Sequence, residues 1–186
     1  MGSLLWRIFP AAGPYPVPWN DLRSFGPTGS RFDHHPADPP PRMHPKFGIL
    51  YAADVPPTAF AEYFQSTGVI NRSLNEPWIV QFALASPLML LDVTGEWGIK
   101  AKAGAAIASG KHEQSRKWSR VIYEAYPGIH GICYRSSLNP AWLAFALYER
   151  AKPALPPMPL LHAPLSDPRI EPLVVQAKTI TGFDVI

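Results

Sequence analysis

Cysteine is almost absent from this 186-residue chain, where Cys133 stands alone. No disulfide can close within the chain, and no cysteine-rich zinc site can be assembled. A reducing compartment, the cytoplasm, is the expected home. Charge is scarce as well: charged residues make up 17% of the chain, against a usual ~25%. Lys and Arg total 17 and Asp and Glu 14, for a net charge of +3. No run of Lys or Arg exceeds two residues, so the basic footprint of a direct nucleic-acid partner is not indicated. Long apolar runs are missing too. The most apolar stretch, Trp78 to Val93, is broken by Gln81, Ser86, Pro87 and Asp92 and is too short to span a bilayer. The opening Met1-Gly2-Ser3-Leu4-Leu5-Trp6-Arg7 lacks the basic region and apolar core of a secretory signal, and Trp6 stands where myristoylation requires Ser or Thr. No membrane contact is expected.

Familiar catalytic signatures are also lacking. There is no Walker loop, no G-x-G-x-x-G, no G-x-S-x-G elbow and no catalytic-cysteine signature. Neither H-x-x-x-H nor H-E-x-x-H occurs among the six histidines. With His34, His35 and His44 in one proline-rich stretch and the others scattered, they read as solvated loop residues, and no metal site is expected. Cys133, inside an expected strand, reads as a small buried thiol.

Proline, by contrast, is abundant. The chain has 23, where usage of ~5% gives about 9. Twelve fall between Pro10 and Pro57 and nine between Pro127 and Pro172. Because proline fixes φ and removes a backbone donor, Pro10–Pro27 and His34–Pro45 read as long loops. Between these lie short elements. Leu4–Phe9, Phe47–Ala53, Trp78–Ala85, Leu88–Val93 and Gly131–Arg135 read as strands. Trp142–Tyr148 fits strand or helix, and Leu173–Ile180, ambiguous too, leans to strand on Pro172 and its β-branched content. A helix is expected over Pro57–Gln65, with Phe60 and Phe64 stacked at i, i+4. Another is expected over Lys111–Tyr126, with Trp118, Ile122 and Ala125 on its apolar face. The length suits a single domain over residues 1–186. The fold class is α+β: short strands, few helices and long proline-rich loops.

Taken one at a time, the polar candidates are ambiguous. Arg31 reads as a surface arginine or as a bidentate anion ligand. Glu62 sits about 200° around its helix from Phe60 at ~100° per residue, so it faces either solvent or a cleft. Ser136 and Ser137, after a strand end, make a polar turn or a pair of donors at the mouth of a site.

Their order carries more. Leu5-Trp6-Arg7-Ile8, Gly29-Ser30-Arg31-Phe32, Ile49-Leu50-Tyr51-Ala52-Ala53, Thr58-Ala59-Phe60-Ala61-Glu62 and Gly131-Ile132-Cys133-Tyr134-Arg135-Ser136-Ser137 follow one another along residues 4–150. In this succession the chain resembles the RES-domain family, named for an arginine, a glutamate and a serine. Phe32-Asp33 stands where that family often has Trp-Asn. The resemblance implies a core similar to that of ADP-ribosyltransferases and an activity that consumes NAD, a substrate here and not a cofactor. It implies cleavage of the nicotinamide–ribose bond, by water or phosphate, in a bacterial toxin restrained by an Xre-like antitoxin, with oligomers arising through that complex. The alternatives are transfer of ADP-ribose to a protein, or a catalytically inactive binding module. Carried onto this chain, the catalytic residues are Glu62, Arg31, Tyr51 and Ser136, and those binding NAD are Arg7, Arg31, Tyr51, Ser136 and Ser137. Trp19, Tyr15 and Phe25 read either as exposed anchors for the antitoxin or as part of the chain's own small core.

Overall fold

The structure is a computed structural model that describes residues 3–102, 107 and 110–186. Met1 and Gly2, weighed above as an acylation signal, lie outside the described residues. The fold is mixed α+β. Its strands are β1 (Leu4–Pro10), β2 (Phe25–Gly26), β3 (Arg42–Met43), β4 (Ile49–Ala53), β5 (Val69–Ile70), β6 (Pro77–Ala83), β7 (Leu90–Asp92), β8 (Gly131–Arg135), β9 (Leu143–Tyr148), β10 (Leu161–Pro164) and β11 (Asp184–Val185). Its helices include α1 (Pro56–Phe64), the single turn α2 (Trp97–Lys100), α3 (His112–Ala125) and α4 (Glu171–Thr181). Seven strands form the main sheet in the order β10-β6-β1-β4-β9-β8-β7.

This sheet is forked. β1 pairs with β6 at seven positions, Leu4↔Ala83 to Pro10↔Pro77, and β4 pairs with β9 at five, Ile49↔Tyr148 to Ala53↔Ala144. Between β1 and β4 the register holds at Trp6↔Ala53 alone. Beyond that pair the strands part. The edge of β4 then takes a partner from the proline-rich loop: Arg23 N donates to Ile49 O at 2.9 Å, and Ile49 N to Arg23 O at 3.1 Å. Arg7, on β1, holds the same loop from the other side, its Nη1 donating to Trp19 O at 2.6 Å and Asp21 O at 3.0 Å. The loop is thus a wedge, with buried Trp19 and Leu22 packed into the core beside Phe82 and Leu147. Of the two readings of Trp19, exposed anchor or part of the chain's own core, the structure shows the core.

The loop histidines are likewise not solvated. Asp33, His34 and His35 are wholly buried and His44 nearly so. His35 Nδ1 lies 2.5 Å from Asp33 Oδ1, and Arg23 Nη2 2.9 Å from Asp33 Oδ2. Burial opposes ionisation of Asp33, but His35, Arg23 and the Thr28 amide together hold its carboxyl well below the usual range. His34 Nε2 lies 3.3 Å from Glu149 Oε2, and Tyr123 donates to Glu149 Oε1 at 2.6 Å. These contacts outweigh burial and bring Glu149 down to about 2. Among the described residues, no group of three or more His, Cys, Asp or Glu is arranged to hold a metal ion. No described helix is long and apolar enough to cross a membrane.

Two helices depart from expectation. Leu173–Ile180 lies in α4, not in a strand. Pro172 falls in its first turn, where its missing N–H costs nothing, and Val174 and Ala177 bury at helical spacing. Gly182 ends it in the left-handed conformation (φ +72°). On α3 the buried face is Ser115, Ser119 and Ile122, with Ala125 exposed. The face is rotated from the expected stripe because the two serines dock by hydrogen bonds: Ser115 donates to Ile107 O at 3.0 Å and Ser119 to Phe32 O at 2.8 Å. Cys133 is half-buried in β8, and burial pushes its thiol up to about 11.

Asp33, Glu149 and His34 all titrate below their ordinary values when folded. Such groups bind more protons unfolded, so their stabilisation is complete above the unfolded pKa and is lost as the pH falls. The loss should start below about pH 6.5 with His34 and deepen below about pH 4.5 with the carboxylates. Melting temperatures measured between about pH 7 and pH 3 should fall throughout, and Glu149→Gln should shallow the acid part of the curve. Gly26 supplies a second check. A Cβ there would sit 2.5 Å from His35 Cγ, so Gly26→Ala should lower stability by about 1–3 kcal/mol in denaturant titration.

Candidate active site in the fork of the sheet

Where β1 and β4 part, a cleft of about 420 Å³ opens. Trp6, Arg7 and Phe9 line one side and Tyr51 the other, with the 28–31 loop, α1 and the start of α3 completing it. Each polar side chain in it has a local reason for its position.

Glu62 reaches the cleft from α1. Pro56 and Pro57 start that helix, and Asp54 pins it: its carboxylate accepts from Thr58 Oγ1 at 3.2 Å and from Leu143 N at 3.1 Å. Phe60 and Phe64 bury into one core cluster. Of the two readings left open for Glu62, solvent or cleft, the structure shows the cleft, with the carboxylate packed toward β8. Tyr134 donates to Glu62 Oε2 at 3.0 Å and Ser136 to Oε1 at 2.8 Å. Ser136 is the first residue past β8, its N still donating to Trp142 O at 3.0 Å, so it shares a face with Tyr134 two positions earlier and both oxygens are gripped. Burial raises the pKa of Glu62 above its ordinary value, against opposing effects of Ser136, Tyr134, Arg31 and His112. The carboxylate is desolvated on the cleft floor and oriented at both oxygens.

Arg31 comes from the loop before the histidines. Asp33 organises that loop, accepting from Thr28 N at 2.8 Å and Thr28 Oγ1 at 2.9 Å. Phe32 is wholly buried with its ring 4.6 Å from that of Tyr134. The Phe32-Asp33 pair therefore anchors the arginine loop from both sides. Arg31 Nη1 donates to Gly110 O at 2.8 Å and to Ser115 Oγ at 3.3 Å. Among the described residues Nε and Nη2 have no such bond, which leaves one edge of the guanidinium for a ligand.

Tyr51 and Arg7 also line the cleft. The Tyr51 hydroxyl is buried with no hydrogen-bond partner among the described residues, and burial raises its pKa. An unsatisfied buried hydroxyl costs free energy that a ligand can return. Burial brings Arg7 down to about 10, with Asp21 opposing and Arg23 adding to that effect. Ser136 and Ser137 do not line the cleft. Ser136, 2% exposed, stands behind Glu62. Ser137 is exposed and donates to Gln65 Oε1 at 2.9 Å.

Three cleft residues escaped the sequence reading: Tyr134, Arg23 and His112. Tyr134 carried a usable signal, two residues before Ser136 on one strand. His112 had none: its Nδ1 donates to Gly29 O at 2.7 Å, a contact across 83 positions.

The RES domain family model matches residues 4–168. The chain belongs to the RES domain family. No curated protein sequence matches it. Its structure resembles a chain in the crystal structure of the M. tuberculosis MbcT–MbcA toxin–antitoxin complex, with a TM-score of 0.55 and 11% identity over 98% of this chain and 90% of that one. At that identity the likeness is one of fold. Arg31 and Glu62, two of the residues on which the resemblance rested, line one cleft, and Ser136 donates to Glu62 from behind.

Tyr134→Phe tests this support. It removes one hydrogen bond to a charged group, worth about 1.5–3 kcal/mol, while keeping the ring that packs on Phe32. Glu62 should then titrate about one to two units higher. The Glu62 carboxyl signal in NMR should show that shift, and Phe32→Leu should not reproduce it.

Proposed function

We propose that this RES protein breaks the nicotinamide–ribose bond of NAD, acts as a toxin on the NAD pool of its own cytoplasm, and is restrained by an Xre-like antitoxin. The observation that carries the reading is the desolvated Glu62 carboxylate, held at both oxygens and facing a cleft whose other charged walls are arginines. The fork between β1 and β4 supports an ADP-ribosyltransferase-like core, and the fold likeness to a chain of a toxin–antitoxin complex supports the partner.

The chemistry follows from charge. As the bond breaks, nicotinamide leaves with the electron pair and C1′ of the ribose gains oxocarbenium character. Glu62, ionised, accepts hydrogen bonds from the ribose hydroxyls and stabilises the growing positive charge. Water or phosphate then attacks C1′ and gives up a proton to solvent. The free edge of Arg31 meets the diphosphate as a planar donor, with Arg7 adding charge deeper in the fork. Tyr51 offers its unpartnered hydroxyl to the nicotinamide riboside, its ring forming the wall. Ser136 acts through Glu62.

Purified protein incubated with NAD should release nicotinamide, and the ribosyl product formed with and without phosphate identifies the acceptor. Glu62→Gln should cut kcat by about 10²–10³-fold, the usual loss when a preorganised electrostatic group is removed. Arg31→Lys should raise KM, because a point charge cannot reproduce the planar fork. Expression alone should deplete cellular NAD and arrest growth, and Glu62→Gln should relieve both. Wild-type protein that accumulates beside normal NAD overturns the toxin reading.

A further inference from the structure

The cleft has two ends. Glu62 and the Trp6↔Ala53 pair mark the closed one. At the open one the chain leaves β1 at Pro10 and enters the wedge loop. Tyr15 also borders the cleft, although it is 55% exposed. Its ring lies parallel to that of Phe25, with centroids 4.3 Å apart and planes 12° from each other. Among the described residues Phe25 is its one aromatic partner, and more than half of Tyr15 stays exposed at the cleft.

Tyr15 is held, not trailing. Pro14, Pro16 and Pro18 fix φ around it. Ala11 and Ala12 are tied to Glu76 and Asn75 by backbone bonds of 3.0 and 3.1 Å. Arg7 fastens the loop four residues later, at Trp19. Phe25 is fastened too, as the Arg23 guanidinium donates to its carbonyl. A pre-ordered aromatic face loses little freedom when a flat ligand lands on it.

Resting on the NAD reading above, we propose that the Tyr15–Phe25 stack is the platform for the adenine base. The four steps from Trp6 to Pro10 span ~13 Å of strand, room for a ribose and a diphosphate between the ends. Arg7 and Arg23 lie along that span, where the diphosphate charge would fall. An exposed aromatic face on a rigid backing suits a purine held by its π surface.

The test separates the two ends of the ligand. ADP and nicotinamide mononucleotide are titrated calorimetrically into wild type, Tyr15→Ala and Tyr15→Trp. Loss of one aromatic stack corresponds to roughly 5- to 150-fold in affinity. Tyr15→Ala should weaken ADP by that factor and leave nicotinamide mononucleotide unchanged, and Tyr15→Trp should restore ADP. KM for NAD should rise with the ADP constant. Equal ADP affinity for wild type and Tyr15→Ala overturns the proposal, as does an equal loss for both ligands or no ADP binding by wild type. ADP binding that depends on Tyr15 in a protein that leaves NAD intact would instead overturn the NAD reading and keep the platform for another adenine nucleotide.

Discussion

Backbone donors and acceptors in the middle of a sheet must find partners. Here two central strands part after a single pair, and the groups that would have joined them are met from outside the sheet. Arg23 gives Ile49 the two bonds that a neighbouring strand would have given, and Arg7 spends its guanidinium on the carbonyls of Trp19 and Asp21. Without that wedge the fork would close or flood. With it, a central position in the sheet becomes the floor of a cleft. The cation that props the fork open is also one of the charges facing whatever enters it.

The same economy governs Glu62. Burial raises its pKa; Ser136, Tyr134 and the charge of Arg31 oppose the rise. The arginine loop leans on the same strand, since Phe32 packs on Tyr134. Acid and arginine are therefore referenced to one tyrosine, not to each other through solvent.

Much of this was legible locally. Gly131–Arg135 reads as a strand and is one, because a short apolar run between turn signals has few alternatives. Pro56-Pro57 announces α1 to within a residue. Periodicity placed Glu62 off the Phe60 stripe but could not show that β8 covers the other face, a contact across 72 residues. The buried histidines were hidden for a similar reason: Asp33 neutralises the cost of burying His35, and the chain declares that only once the loop folds back. The rotated face of α3 misled because hydrophobicity does not count serines that dock through hydroxyls. For α4, Pro172 and the β-branched content both pointed to strand, although a proline is at home in a helix's first turn.

Both grips on Glu62 come from residues two apart, Tyr134 in β8 and Ser136 just past its end, and that has a bearing on how the protein can vary. Insertion or deletion of one residue in β8 ahead of Tyr134 would turn both to the opposite face together. The support of the carboxylate is consequently all-or-nothing with respect to length changes there. The 34–45 segment, by contrast, can exchange its exposed residues 37–41, which precede β3, at little expense to the cleft. Drift in length should collect in that loop and be purged from β8.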